Sequence, residues 1–257
     1  MYKANSKSLV LVGALSLATL FSFSSHATIV EVETSQGNFK INLHDETTPK
    51  TVENFLNYIN DGDYNNTVVH RLVPDFIVQA GGYSFEGNFP LTAISTDPTV
   101  LNEPIYSNVR GTIAMAKVGG NPNSATSQWF INYNDNSANL DAQNGGFTVF
   151  GEVIEGMDNL DNIALLPLCS EIPMPEYTST ECADADFVPG VDNFVTIHTV
   201  TIIDDSATTD ASLASVKNTS LNNEESSDSG GGSFSYLTLF LLSFFGCRRI
   251  IRKNKMD

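Results

Sequence analysis

An arginine stands in the middle of an apolar, β-prone stretch at 64–81, which reads Tyr-Asn-Asn-Thr-Val-Val-His-Arg-Leu-Val-Pro-Asp-Phe-Ile-Val-Gln-Ala-Gly. A guanidinium cannot give up its charge, and it presents its N–H donors in a rigid planar fork. A short apolar segment does not carry such a cation into its interior without a use for it. Arg71 therefore suits electrostatic stabilisation rather than proton transfer, although taken alone it could equally be a surface ion pair with one of the chain's many carboxylates. Gln79 and Gln128 raise the same question, because a long amide in an apolar strand needs a hydrogen-bonding reason to be there. His70 adjoins Arg71 but reads as structural. His44 and His198 are isolated and show no ligand spacing. A hydrolase has no motif behind it: there is no Gly-x-Ser-x-Gly, no Cys–His pairing and no glycine-rich phosphate loop.

The elements that must position these residues are mostly short strands. Residues 28–34 alternate apolar and polar, and Gln36-Gly37-Asn38 turns them into a second strand at 39–43. The period then changes. Val52, Phe55, Leu56 and Ile59 fall on one helical face within 47–60, with Thr48 as the expected cap, Pro49 in the first turn and Gly62 past the end. Strands follow at 68–73, 76–79, 112–117, 128–133 and 148–154. A second helix is expected at 156–164 and a closing strand at 191–203. Such a pattern suggests a helix-capped β-barrel, but periodicity does not separate a barrel from a sandwich.

The stretch 64–81 matches over all its positions the signature of the cyclophilin-type peptidyl-prolyl cis-trans isomerases. Ser124-Ala-Thr-Ser-Gln-Trp-Phe-Ile-Asn132 is similar to the bacterial branch in particular. The resemblance covers about 29–203. It implies a mainly β fold, an eight-stranded antiparallel barrel capped by two α-helices, and rotation about X-Pro peptide bonds as the activity. That reaction breaks no covalent bond and needs no nucleophile, metal or cofactor. It needs an apolar pocket for the proline ring and a donor that favours the twisted bond, and the resemblance gives Arg71 the donor role.

The same resemblance places Phe76, Ile77, Phe130 and Leu140 as pocket walls, residues that alone would read as ordinary core, and adds Phe147 to the substrate surface. It makes Gln79 and Gln128 the polar neighbours that orient Arg71 and the substrate, and Ala116 and Lys117 the strand whose backbone pairs with the peptide. Backbone pairing reads extended shape, so proline-containing polypeptides of broad sequence are the expected partners. Two positions depart from the family. Asn139 stands where members often have Trp and bacterial ones Phe, which implies a shallower pocket and poor cyclosporin binding. Phe147 replaces a His or Tyr and loses a polar tip. Neither departure touches Arg71, so activity is expected to survive; Asn139 and the acidic surface nonetheless lend weight to a second reading, a non-catalytic proline-peptide-binding chaperone or adaptor.

The ends of the chain describe export. Residues 1–27 combine Lys3 and Lys7, an apolar run at 9–23 and Ser25-His26-Ala27, the pattern of a secretory signal peptide. The domain is expected over 28–204, with an insertion at 166–189, and a flexible polar linker over 205–229. The tail, 230–257, starts with Gly230-Gly231-Gly232-Ser233, continues in an apolar run at 234–246 and ends with Arg248, Arg249, Arg252, Lys253 and Lys255. It resembles the GlyGly-CTERM sorting tails of Gram-negative bacteria, which an intramembrane protease cuts near the glycines. A permanent single-pass anchor is the alternative. The sequence gives Cys247, at this edge, no task. Periplasm or cell surface follows as the expected location, with the protein acting as a monomer.

Between those ends, six basic residues face 29 acidic ones over 28–229, a formal charge of −23. That field repels phosphate backbones, so nucleic acid is excluded as a partner. Cys169 and Cys182 sit in the proline-rich insertion, and in an exported chain they read as a disulfide. No His or Cys lies near them to make a zinc site.

Overall fold

The computed structural model describes residues 28–206 and 213–223. The signal segment 1–27, the tail 230–257 and Cys247 lie outside them. Among the described residues thirteen strands are present: β1 (Ile29–Thr34), β2 (Phe39–Leu43), β3 (Thr67–Val68), β4 (Arg71–Val73), β5 (Ile77–Ala80), β6 (Tyr83–Ser84), β7 (Thr92–Ala93), β8 (Thr112–Met115), β9 (Trp129–Asn132), β10 (Val149–Glu155), β11 (Leu168–Cys169), β12 (Ile172–Pro173) and β13 (Thr196–Asp204). The helices are α1 (Pro49–Asp61), α2 (Ser137–Leu140), α3 (Met157–Ala164) and α4 (Ser179–Ala183).

All but β11 and β12 form one antiparallel sheet in the order β4-β5-β9-β8-β10-β2-β1-β13-β3-β6-β7. β3 and β4 belong to a single run of chain, 67–73. At one end this run pairs with β13, and at the other with β5. Joining them closes a ring of eight strands, the barrel expected from the sequence. Val30, Val32, Ile41, Leu72, Val78, Ile113, Trp129 and Ile131 fill its interior, and the apolar faces of α1 (Val52, Phe55, Tyr58, Ile59) and α3 (Leu160, Ile163) pack into the same cluster.

The start of α1 is capped differently from the sequence expectation. Thr48 makes no side-chain cap; its hydroxyl donates instead to the His44 carbonyl at 3.1 Å. The carboxylate of Glu103, distant in sequence, accepts from the Thr51 N–H at 2.9 Å and the Thr51 hydroxyl at 2.8 Å. A full negative charge at a helix N-terminus is a better partner than a hydroxyl. Gly62 ends the helix in the left-handed region, at φ 76°.

Two further expectations change. The last strand begins at Thr196 rather than at 191. Residues 191–193 form a 3-10 turn, held by Asn193 Oδ1 accepting from the Gly190 N–H at 2.9 Å, and Val191 is left exposed. A short polar side chain that bonds its own backbone competes with the ladder in this way. The flexible linker expected over 205–229 is corrected for 213–223, which docks on the domain. Ser107 N–H donates to Val216 O at 2.8 Å, Asn218 N–H to Ile105 O at 2.9 Å, and the Lys217 ammonium lies 4.0 Å from the Tyr106 ring centroid. Composition read this segment as polar linker because its bonds are made by backbone and by single side chains, which leave no periodic signal.

Candidate active site

The register across three strands assembles the site. Arg71 on β4 lies opposite Gln79 on β5, and Gln79 lies opposite Phe130 on β9. Side chains alternate between the faces of a strand, so Leu72, Val78 and Ile131 point into the barrel while Arg71, Ile77, Gln79 and Phe130 share the outer face. That outer face is not left to water. A second apolar cluster of Ile77, Phe130, Leu140, Phe147, Tyr106 and Val149 packs on it, with Phe76 and Ala116 at its margin.

All ten residues expected from the sequence to bind or act on substrate line one cavity of about 1060 Å³: Arg71, Phe76, Ile77, Gln79, Ala116, Lys117, Gln128, Phe130, Leu140 and Phe147. Phe130 and Phe147 meet edge to face at 5.8 Å. Gln79 is buried, and its amide donates from Nε2 to Gln128 Oε1 at 2.8 Å. Gly82 makes this possible. A Cβ there would lie 2.7 Å from the Gln128 side chain, and one on Gly81, at φ 77°, would meet the Ser127 carbonyl at 2.8 Å. Gly82, the residue after the signature, therefore admits the second glutamine, and Gly81 admits the strand that carries it.

Arg71 is partly buried, its side chain 23% exposed. Its Nε donates to Glu171 Oε2 at 2.7 Å and its Nη2 approaches Oε1 at 3.4 Å. The two readings of this arginine are thus both present: it makes an ion pair and it lines the apolar cavity. Glu171 was not foreseen. It sits at the turn between β11 and β12, in the insertion, and its carbonyl accepts the Leu72 N–H at 2.6 Å, which ties the insertion to β4. Cys169 and Cys182 are joined, S–S 2.00 Å, and both border the cavity. Nothing in the sequence pairs one carboxylate among 29 with one arginine a hundred residues away.

Lys117 plays another part besides its backbone. Its ammonium is buried, donating to Gly146 O at 2.6 Å, Asn144 O at 3.0 Å and Asn102 Oδ1 at 3.2 Å, and it lies 4.7 Å from the Phe147 ring centroid. Burial pulls its pKa down to about 8. The side chain holds the loop that carries Phe147, while the Ala116 N–H is engaged by Gln128 O at 2.9 Å. Asn139 is exposed and is not among the residues that line the cavity. His70 borders the cavity with its ring edge-on to Tyr83 at 4.8 Å, and burial lowers its pKa to about 4, so it is neutral at physiological pH.

Beneath the walls lies a polar network absent from the sequence expectations. Asn136 Nδ2 donates to Phe76 O at 2.9 Å and to Asn132 Oδ1 at 2.8 Å. Asn108 Nδ2 donates to Asp141 Oδ1 at 3.0 Å and to Phe147 O at 3.2 Å. Asn132, Asn108 and Asp141 are fully buried. Asn132 closes the Gln-Trp-Phe-Ile-Asn motif, and its position in an otherwise apolar strand was the one available signal.

Residues 29–182 match the family model described as cyclophilin type peptidyl-prolyl cis-trans isomerase/CLD. The chain belongs to this family. A peptidyl-prolyl cis-trans isomerase of Acinetobacter baylyi is 43% identical over 150 residues, which cover 56% of this chain and 77% of that protein. Peptidyl-prolyl cis-trans isomerase B of Escherichia coli is 40% identical over 141 residues, 52% of this chain and 83% of the relative. Among solved structures, a cyclophilin type peptidyl-prolyl cis-trans isomerase of Cryptosporidium parvum superposes with a TM-score of 0.50 at 25% identity, covering 70% of this chain and 99% of the other. In this cyclophilin the outward-facing row of Arg71, Gln79 and Phe130 lies within the matched residues. The family match ends at Cys182, the second cysteine of the disulfide.

Proposed function

We propose that this cyclophilin catalyses cis-trans isomerisation of X-Pro bonds in exported polypeptides, with Arg71 as the acting cation. The observation that carries this is the placement of one permanent charge and two amides on the rim of an apolar cavity walled by Phe76, Ile77, Phe130, Leu140 and Phe147. Twisting a peptide bond costs about 18–20 kcal/mol because its resonance is lost. In the twisted state the prolyl nitrogen regains a lone pair, and an Arg71 N–H can donate to it. Such a bond is weak in either planar form and strong at the barrier, which is the condition for lowering it. About 5–6 kcal/mol of differential stabilisation corresponds to roughly 10⁴-fold. The walls hold the proline ring, and Gln79 with Gln128 orients the carbonyl and the guanidinium.

Export rests on the signal pattern at 1–27, and transient or permanent membrane attachment on the Gly-rich, apolar and basic tail at 230–257. The clients in this reading are proteins folding in the periplasm or at the cell surface. The second reading, a proline-peptide binder without turnover, is favoured by the Glu171 carboxylate, which already occupies two Arg71 nitrogens. A protease-coupled assay on an Ala-Pro peptide separates the two. Catalysis requires a rate well above the uncatalysed one and its loss in Arg71→Ala. Equal, low rates in both proteins would leave only the binder.

A further inference from the structure

The cavity is larger than a proline ring needs, and its second half is built by the insertion. Its volume of about 1060 Å³ reaches the upper end of what whole small-molecule ligands occupy. The walls described above belong to one apolar cluster. Ile172, Met174, Tyr177 and Phe187, with Leu91, border the same cavity but belong to a separate cluster anchored on Val68 and Phe194. Arg71 and Glu171 border it too, and Glu171 brings the insertion to the strand that carries Arg71.

This second wall is fixed rather than draped. Met174 and Tyr177 are buried, Phe187 meets Tyr177 edge to face at 5.1 Å, and the disulfide closes the segment between Cys169 and Cys182. Helix α4 starts with a reciprocal cap, the Thr178 N–H donating to Glu181 Oε2 at 2.8 Å and the Glu181 N–H to Thr178 Oγ1 at 3.2 Å. At the rim two large apolar side chains remain in water, Phe89 at 53% exposed and Val188 at 69%. Charged groups on this side are carboxylates, Glu171 and Asp184.

A polypeptide does not end at its proline. With the ring held against Phe130, flanking residues advance about 3.3–3.6 Å each when extended, and the rest of the same cavity is the space next to them. We propose that the insertion forms a second substrate subsite, which takes a bulky apolar or aromatic side chain lying a few residues from the proline in the same polypeptide. The inference rests on the reading of this cavity as the proline-peptide site. It gives the enzyme a preference that backbone pairing alone would not supply: exported chains in which an aromatic or branched aliphatic residue neighbours a proline, with an acidic residue disfavoured there by Glu171 and Asp184.

Binding of short Ala-Pro peptides, with phenylalanine placed at each position in turn on either side of the proline, tests it on the mature protein. At one position or more, phenylalanine should tighten the Kd about fivefold or better relative to alanine. In Val188→Asp, an exposed position where folding is not at risk, and in Phe187→Ser, that phenylalanine-to-alanine ratio should fall below about twofold. Absence of a gain at every position would overturn the subsite, as would a gain that persists in both variants. Self-association of the protein that Val188→Asp abolishes, with no gain for any peptide, would assign this wall to a second copy and likewise overturn it. Isomerisation rates on the same peptides keep the two readings apart: a gain that Val188→Asp removes in a protein without turnover would sink the catalytic reading and uphold the subsite.

Discussion

The Arg71 Nε lies 2.7 Å from Glu171 Oε2, across a hundred residues of sequence, and both residues line the apolar cavity. Half of the Glu171 side chain is in water, so the pair itself is worth only about 0–1 kcal/mol. Its larger effect is on geometry, since an arginine side chain carries about 2 kcal/mol of rotamer entropy that a fixed carboxylate removes in advance. Glu171→Ala should therefore lower kcat/KM about fivefold, a loss of roughly 1 kcal/mol at the barrier, with a denaturation midpoint close to wild type. A faster variant would show instead that the carboxylate competes with substrate.

Glu171 owes its place to the disulfide loop. Closing a loop of this length, sequence separation 13, stabilises by about 3 kcal/mol in the chain-entropy model. Cys169→Ser with Cys182→Ser should cost that much in denaturant unfolding, and activity should fall toward that of Glu171→Ala. Wild-type stability in the double variant would contradict this account of the insertion.

The docked segment 213–223 supports the site from behind. Asn218 is buried and its Nδ2 donates to Asp141 O at 2.9 Å, next to the wall residue Leu140. Asn218→Ala should destabilise by about 1–2 kcal/mol, because it removes a buried hydrogen bond and leaves a carbonyl without that donor. Urea titrations of the two proteins give the difference.

Acid should weaken the same region. His44 is buried, and desolvation, followed by the nearby Lys217 ammonium, lowers its pKa from 6.5 to about 4. Above pH 6.5 neither state binds the proton and the group contributes nothing to the pH dependence. Between pH 6.5 and 4 the unfolded chain takes up a proton that the native state refuses, so stability falls as pH falls and levels off below about 4. The shift corresponds to about 3 kcal/mol. Unfolding midpoints at neutral and at mildly acidic pH measure it, and His44→Asn should reduce the slope, leaving the part that the buried His70 contributes in the same window.

What could be read from the sequence follows from physical signals of different kinds. The barrel strands and helices α1 and α3 announced themselves through period and turn residues. Six of the ten cavity residues lie in one long motif and its short companion, and Ala116, Lys117, Leu140 and Phe147 were placed by the wider resemblance alone. Which face of β5 and β9 carried the site was hidden, because both faces are buried and Phe76-Ile-Val is apolar up to Gln79. Glu103 as the cap of α1, Glu171 on Arg71 and Asn218 on Asp141 are contacts between residues far apart in sequence, made by polar side chains with many possible partners. Only the folded chain selects among them. The Asn108–Asn132–Asp141 network was partly visible, as polar residues where a core would be expected, but not its attachment to Phe76 and Phe147.

The most direct measurement compares wild type with Arg71→Ala and Arg71→Lys in the protease-coupled assay on an Ala-Pro peptide. Wild type should accelerate isomerisation by several orders of magnitude. Arg71→Ala should lose at least about 100-fold in kcat/KM, the equivalent of roughly 2.7 kcal/mol, while circular dichroism stays that of the folded barrel. Arg71→Lys should recover little of the loss, since an ammonium keeps the charge without the planar fork. A folded Arg71→Ala protein that isomerises the peptide at the wild-type rate would contradict the assignment.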